Sequence, residues 1–184
     1  MIPSATMGGA KGWRIAGWAM IASVLAAPLL AMQVTPEVAW TGSDFLLMAM
    51  ILGGAGVAIE LVARSTANRA YRSAVSVGLA GCVLLVLVNG AVGIIGSERD
   101  DANLTFGAVL AVWLVGSIAT RLRAAGMRLV VTSMAAVQLL VPVAVYLLMP
   151  GARDAVLRPE VGAATLVFVA IWLASAGLFR RAEG

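Results

Sequence analysis

Six apolar blocks dominate the chain, at residues 15–34, 45–63, 74–96, 104–120, 129–149 and 161–179. Each is about the length that crosses a hydrocarbon core of roughly 30 Å as a helix. Short polar or Pro-Gly turns separate them, and no turn is long enough to fold as a domain. Hydrophobic residues make up 61% of the 184 and charged ones 12%, against roughly 45–50% apolar in a soluble domain. Lipid is therefore the expected solvent. The expected fold is all-α: a polytopic transmembrane helical bundle of six spans, forming one membrane domain over residues 1–184.

Charge gives an orientation, because Lys and Arg concentrate in cytoplasmic loops. With the N-terminus inside, the inner segments hold Lys11, Arg14, Arg64, Arg69, Arg72, Arg121, Arg123, Arg128, Arg180 and Arg181. The outer turns hold Glu37, Asp44, Glu98, Asp100, Asp101, Asp154 and Glu160. Adding or removing one helix would scramble this sorting, so it supports six spans independently of hydropathy and predicts cytoplasmic termini. The first block follows a charged start that resembles a signal sequence. It is too long for one, however, and Leu29-Leu30-Ala31 is a poor cleavage site. It is expected to be a retained helix bent at Pro28. The formal charge of +4 is spread over short turns and ends, which fits topology and anionic lipid headgroups and argues against nucleic acid as a partner.

Helices in lipid associate through close contact and hydrogen bonds. Gly78, Cys82, Asn89, Gly93 and Gly96 are expected near one face of the third span, and Gly53, Gly56 and Glu60 near one face of the second. Gly107 and Ala111, and Ala135 or Ala136 with Pro142, are weaker counterparts. Trp113 and Trp172 each lie eight residues before an arginine, Arg121 and Arg180. A common direction through the membrane explains that spacing, and no inverted repeat of the transporter type accompanies it.

Polar residues at depth are costly and often functional. Glu60 is expected to pair with Arg64 one turn onward. Asn89 is placed about 10 Å below the outer end of its helix, on a rise of about 1.5 Å per residue, and Gln138 near mid-membrane. Both amides suit bridging between helices or lining a cavity. Asp44, Glu98, Asp100, Asp101 and Asn103 are oxygen donors of the kind a hard cation takes, in a spacing that matches no calcium loop. Capping explains the same residues: Asp101 or Asn103 for the fourth helix, Ser43 for the second.

The chain has no histidine, which excludes His-based haem, zinc and catalytic arrangements within it. Its one cysteine, Cys82, suits a small core residue better than a nucleophile. No cofactor, metal site or enzymatic activity is expected.

The run Val88-Asn-Gly-Ala-Val-Gly-Ile-Ile-Gly-Ser-Glu98 with Asn103-Leu104, the stretch from Met32-Gln33 to Trp40 and Asp44-Phe45, Glu60-Leu-Val-Ala-Arg64 with Tyr71-Arg72, Gly126-Met127, and Trp172-Leu-Ala-Ser175 with Phe179-Arg180-Arg181 together resemble a family of bacterial six-span inner-membrane proteins. The resemblance covers nearly the whole chain. It implies bacterial origin, an inner-membrane location and a single domain, and carries no activity. Family members have Asn-Pro ahead of the Asn103 position, where this chain has Asp101-Ala102.

Two functions of different class follow. One is a structural or accessory subunit whose small-residue seams and acidic turn dock onto other membrane subunits or a second copy. The other is a channel or transporter for a cation or small polar solute, with Asp44, Asn89, Glu98 and Gln138 along the route. The central thirds of most spans are aliphatic, which ranks the accessory role first.

Overall fold

The computed structural model describes residues 6–36 and 38–184. Glu37, counted above among the outer acids, lies outside the described residues, as do the first five residues and the Lys11 side chain. No strand occurs among the described residues. Six helical segments are long and apolar enough to cross a membrane: Arg14–Val34, Gly42–Ser65, Arg69–Ala91, Asp101–Ala119, Ala124–Leu148 and Pro159–Ala182. The fold is therefore that of a multi-pass helical membrane protein, as the apolar blocks require.

The chain groups into two compact units, one ending at Ser65 and one from Thr66 to Gly184. The first is a helical hairpin of α1 (Thr6–Val34) and α2 (Gly42–Ser65). Helix α1 continues through Pro28. Gly56 faces α1, where an added Cβ would lie 2.8 Å from the end of Ile21 and 3.4 Å from the Trp18 ring. Gly53 has no neighbour within 4 Å of that position, so of the two glycines expected to pack, only Gly56 does so within the hairpin.

The second unit contains α3 (Arg69–Ala91), a 3-10 helix (Asp101–Phe106) running into α4 (Gly107–Ala119), α5 (Ala124–Leu148), a short α6 (Arg153–Val156) and α7 (Pro159–Ala182). Helix α7 packs against both α5 and α3, and α4 packs against α5. Glycines allow two tryptophans to seat on α3. A Cβ at Gly78 would overlap the Trp113 ring, and one at Gly81 would lie 2.6 Å from the Trp172 ring. The two tryptophans paired by their spacing to arginine thus both pack against α3, on neighbouring turns. One turn before Gly78, the Ser175 hydroxyl donates to the Ala74 carbonyl at 2.9 Å, tying α7 to α3. The core is filled by Phe106, Phe179, Leu85, Ile95, Met127 and Met134 around the buried Trp172.

One end of this unit is fastened by polar groups. Asn68 caps α3 by accepting from the Tyr71 amide, and its own amide donates to the Ala182 carbonyl at 3.1 Å. Arg128 pairs with Glu183 at 2.7 Å. The α4–α5 turn places Arg121 and Leu122 at φ of 49° and 58°, a left-handed conformation that costs a non-glycine residue energy. The Tyr71 hydroxyl bonds the Leu122 carbonyl and holds that turn against α3.

The main departure from the expected spans is the third. It begins at Arg69 and ends at Ala91, not at 74 and 96. Hydropathy reads Val92-Gly-Ile-Ile-Gly96 as helix because it is apolar. Gly93 and Gly96 both adopt φ of +73°, which only glycine takes readily, and the chain leaves the helix there. Gly93 and Gly96 therefore do not share a helix face with Gly78, Cys82 and Asn89. Cys82 is half-buried, and Gly78 is a true packing position.

Candidate functional site

The non-helical segment that follows α3 raises an immediate question, since its backbone groups lack the helical ladder and still need partners at low polarity. Asn103 supplies them. Its Oδ1 accepts from the Ile94 amide at 2.8 Å and the Ile95 amide at 2.9 Å. Its Nδ2 donates to the Ile95 carbonyl at 3.0 Å and the Ser97 carbonyl at 2.7 Å. One buried side chain thus fills all four of its hydrogen-bonding positions on this loop, and Ile94 and Ile95 turn into the core. A Cβ at Gly93 would sit 2.9 Å from the Asn103 amide nitrogen and 2.5 Å from Ser97 backbone atoms. Glycine is required there by space as well as by φ.

Asp100 completes the loop, its carboxylate accepting from the Ser97 amide at 3.2 Å and its own amide donating to the Ser97 carbonyl at 3.1 Å. Neither Asp101 nor Asn103 caps the following helix, contrary to expectation: the residue at the cap position is Asp100, and it makes no side-chain cap bond to that helix. Asn103 is used instead to organise the segment before it. Asp101 is exposed on the first 3-10 turn, and Glu98 pairs with its neighbour Arg99 at 3.5 Å.

Asn89 lies two residues before the end of α3, closer to it than the 10 Å expected, because the helix ends five residues before the apolar block does. Its Nδ2 donates to the Leu85 carbonyl at 2.8 Å within the same helix. Its buried Oδ1 has no hydrogen-bond partner. Asn89 is also among the residues lining a groove of about 400 Å³ bounded by α3, the Glu98–Asp101 turn and the start of α4. The structure therefore brings Asn89, Glu98, Asp101 and Asn103 together at one groove. Asp44, Glu60 and Gln138 do not line it.

Asp44 belongs to a capping box at the start of α2. Its carboxylate accepts from the Thr41 amide and hydroxyl, both at 2.7 Å, and the Thr41 hydroxyl accepts from the Asp44 amide at 3.4 Å. The cap is Thr41, three residues before an acid as the motif requires, and not Ser43, which only bonds the Thr41 hydroxyl. Glu60 pairs with Arg64 as expected. It also binds Arg14 and receives the Trp18 indole N–H at 3.3 Å. The sequence signalled the local partner at four-residue spacing. The α1 partners are visible only once the hairpin closes.

Gln138 is fully buried in α5, and neither end of its amide has a hydrogen-bond partner. It bridges no helix pair. Among the described residues, no group of three or more Cys, Asp or Glu side chains is arranged to hold a metal ion.

Comparison of the chain with family models, with curated proteins and with solved structures finds no match.

Proposed function

We propose that this protein is a non-catalytic structural or accessory subunit of a bacterial inner membrane, packing through its helix faces against other membrane subunits or a second copy. In this reading both termini are cytoplasmic, since six crossings return the chain to its starting side and the positive residues sort to that side.

The observation that carries the reading is the use to which the polar residues are put. Asp44 caps a helix, Glu60 is bound by two arginines and an indole, and Asn103 is spent on four backbone bonds. These side chains hold the architecture, whereas a conduction route needs polar groups free to exchange partners with a solute. Large apolar side chains, with Trp172 at 0% exposure, fill the interior of the Thr66–Gly184 unit.

Extraction in mild detergent is the direct test: the accessory role requires stoichiometric partners or a defined homo-oligomer, and a lone monomer counts against it. Reconstitution in liposomes tests the competing channel or transporter. Cation or small-solute flux above empty vesicles, reduced by Glu98→Gln with Asp44→Asn, would displace the accessory reading.

A further inference from the structure

We infer that the end of the α1–α2 hairpin carrying Arg14 and Arg64 holds one phospholipid of net negative headgroup, its phosphate bound by the two guanidiniums. Both converge on a single oxygen, Glu60 Oε1, while the Trp18 indole N–H takes Oε2 at 3.3 Å. One negative charge thus faces two positive ones. Among the described residues no other carboxylate pairs with either arginine. Each guanidinium carries five N–H donors, and Glu60 occupies one nitrogen of each, so most of the donors remain for a second anion.

The place of the cluster in the hairpin says which anion that is. Glu60 lies five residues before the end of α2, about 7 Å along the axis at about 1.5 Å per residue, and Arg14 opens the membrane-spanning part of α1. Headgroups meet hydrocarbon near this depth. An unneutralised guanidinium is costly there, and lipid phosphate is the anion at hand. The Glu60 side chain is covered, at 16% exposure, whereas those of Arg14 and Arg64 are 44% and 65% exposed. The cations therefore face the lipid and the carboxylate does not.

Each arginine also stands beside an apolar recess. Along α1, Ile15, Trp18 and Ala19 line about 560 Å³ next to Arg14. On α2, Val57 and Leu61 line about 250 Å³ next to Glu60 and Arg64. Two recesses below one cationic pair suit the two acyl chains below one phosphate, which commits the site to a lipid over a free phosphate. The surplus positive charge selects the head, because a zwitterionic lipid would bring its own cation against the guanidiniums. This goes beyond the general attraction of basic turns to a membrane face: it names one position and one bound molecule.

The test is native mass spectrometry of delipidated full-length protein titrated with phosphatidylglycerol, phosphatidylethanolamine or phosphatidylcholine of identical acyl chains. Phosphatidylglycerol should be retained about tenfold more tightly than the other two, as one forked guanidinium–phosphate contact allows. Arg64→Gln removes the surplus charge and leaves both bonds that cross from α1 to Glu60, those of Arg14 and Trp18. It should abolish the preference with helical content unchanged, and Arg64→Lys, which keeps the charge, should keep most of it. Arg180→Gln, an equal change of charge at an exposed position in the other unit, should leave the preference intact. Equal retention of the three lipids would overturn the proposal, as would Arg64→Gln and Arg180→Gln lowering the preference alike, since diffuse attraction would then account for it. Displacement of the lipid by free glycerol phosphate at matching concentration would overturn the lipid assignment.

Discussion

Asn103→Leu removes a polar side chain from a buried position and is the sharpest perturbation available. Leucine is close in size, so the change isolates hydrogen bonding from volume. Four bonds are lost, though not equally: the Ser97 carbonyl keeps the Asp100 amide at 3.1 Å, so its loss is minor. The Ile94 and Ile95 amides have no other acceptor in the loop, and both residues are buried, at 6% and 0% exposure. Each orphaned buried donor costs about 1–3 kcal/mol. The pair therefore gives roughly 4 kcal/mol, a large share of the 5–15 kcal/mol that holds a typical domain together. The expected result is local opening of residues 92–97, with amide exchange there faster by about a thousandfold at roughly 1.4 kcal/mol per decade. Hydrogen exchange in nanodiscs followed by mass spectrometry reads this directly. Leu104→Ala, at a neighbouring position 76% exposed, is the control and should leave the segment protected. If Asn103→Leu kept Ile94 and Ile95 protected within a few-fold of wild type, the assignment of Asn103 as the organiser of this loop would be wrong.

Further outcomes follow from the packing and the polar groups. Gly81→Ala should destabilise the protein by about 1–3 kcal/mol in thermal unfolding in detergent, because the new methyl overlaps Trp172 and Ile171. Gly53→Ala, with open space around it, should be neutral or stabilising by up to about 1 kcal/mol. Ser175→Ala removes the α7–α3 hydrogen bond and should cost about 0.6–1.7 kcal/mol, the range for interhelical bonds in membranes. Gln138→Met should raise the melting temperature, since the amide is buried with no partner and a similar apolar volume avoids that penalty; a clear fall would mean that the amide is engaged. Glu60→Gln should loosen α1 from α2, seen as less disulfide cross-linking between cysteines introduced into the two helices of a Cys82→Ser background, while unchanged cross-linking would show the cluster to be incidental.

Each of these depends on contacts that differ in how far the sequence announces them. Glu60 with Arg64 was legible because a four-residue spacing on a helix brings two side chains together whatever surrounds them. Arg14 and Trp18 reach the same carboxylate from a separate helix, and only the closed hairpin reveals it. Trp113 and Trp172 drew attention through their spacing to arginine, yet their shared property is a seat on α3 at Gly78 and Gly81. Gly81 was missed because one glycine in an apolar helix looks like any other. The misjudged end of the third span has the same origin. Hydropathy measures what lipid or core will accept, and Val92–Gly96 is as apolar as the helix before it.

The sequence by itself determined six lipid-length helices and the short turns between them, because the cost of placing backbone and charge in hydrocarbon is a property of composition and length. Tertiary structure alone decided where α3 stops and what Asn103 does. A left-handed glycine and a side chain arriving from up to nine residues later can replace the helical ladder, and that exchange depends on geometry that no local pattern records.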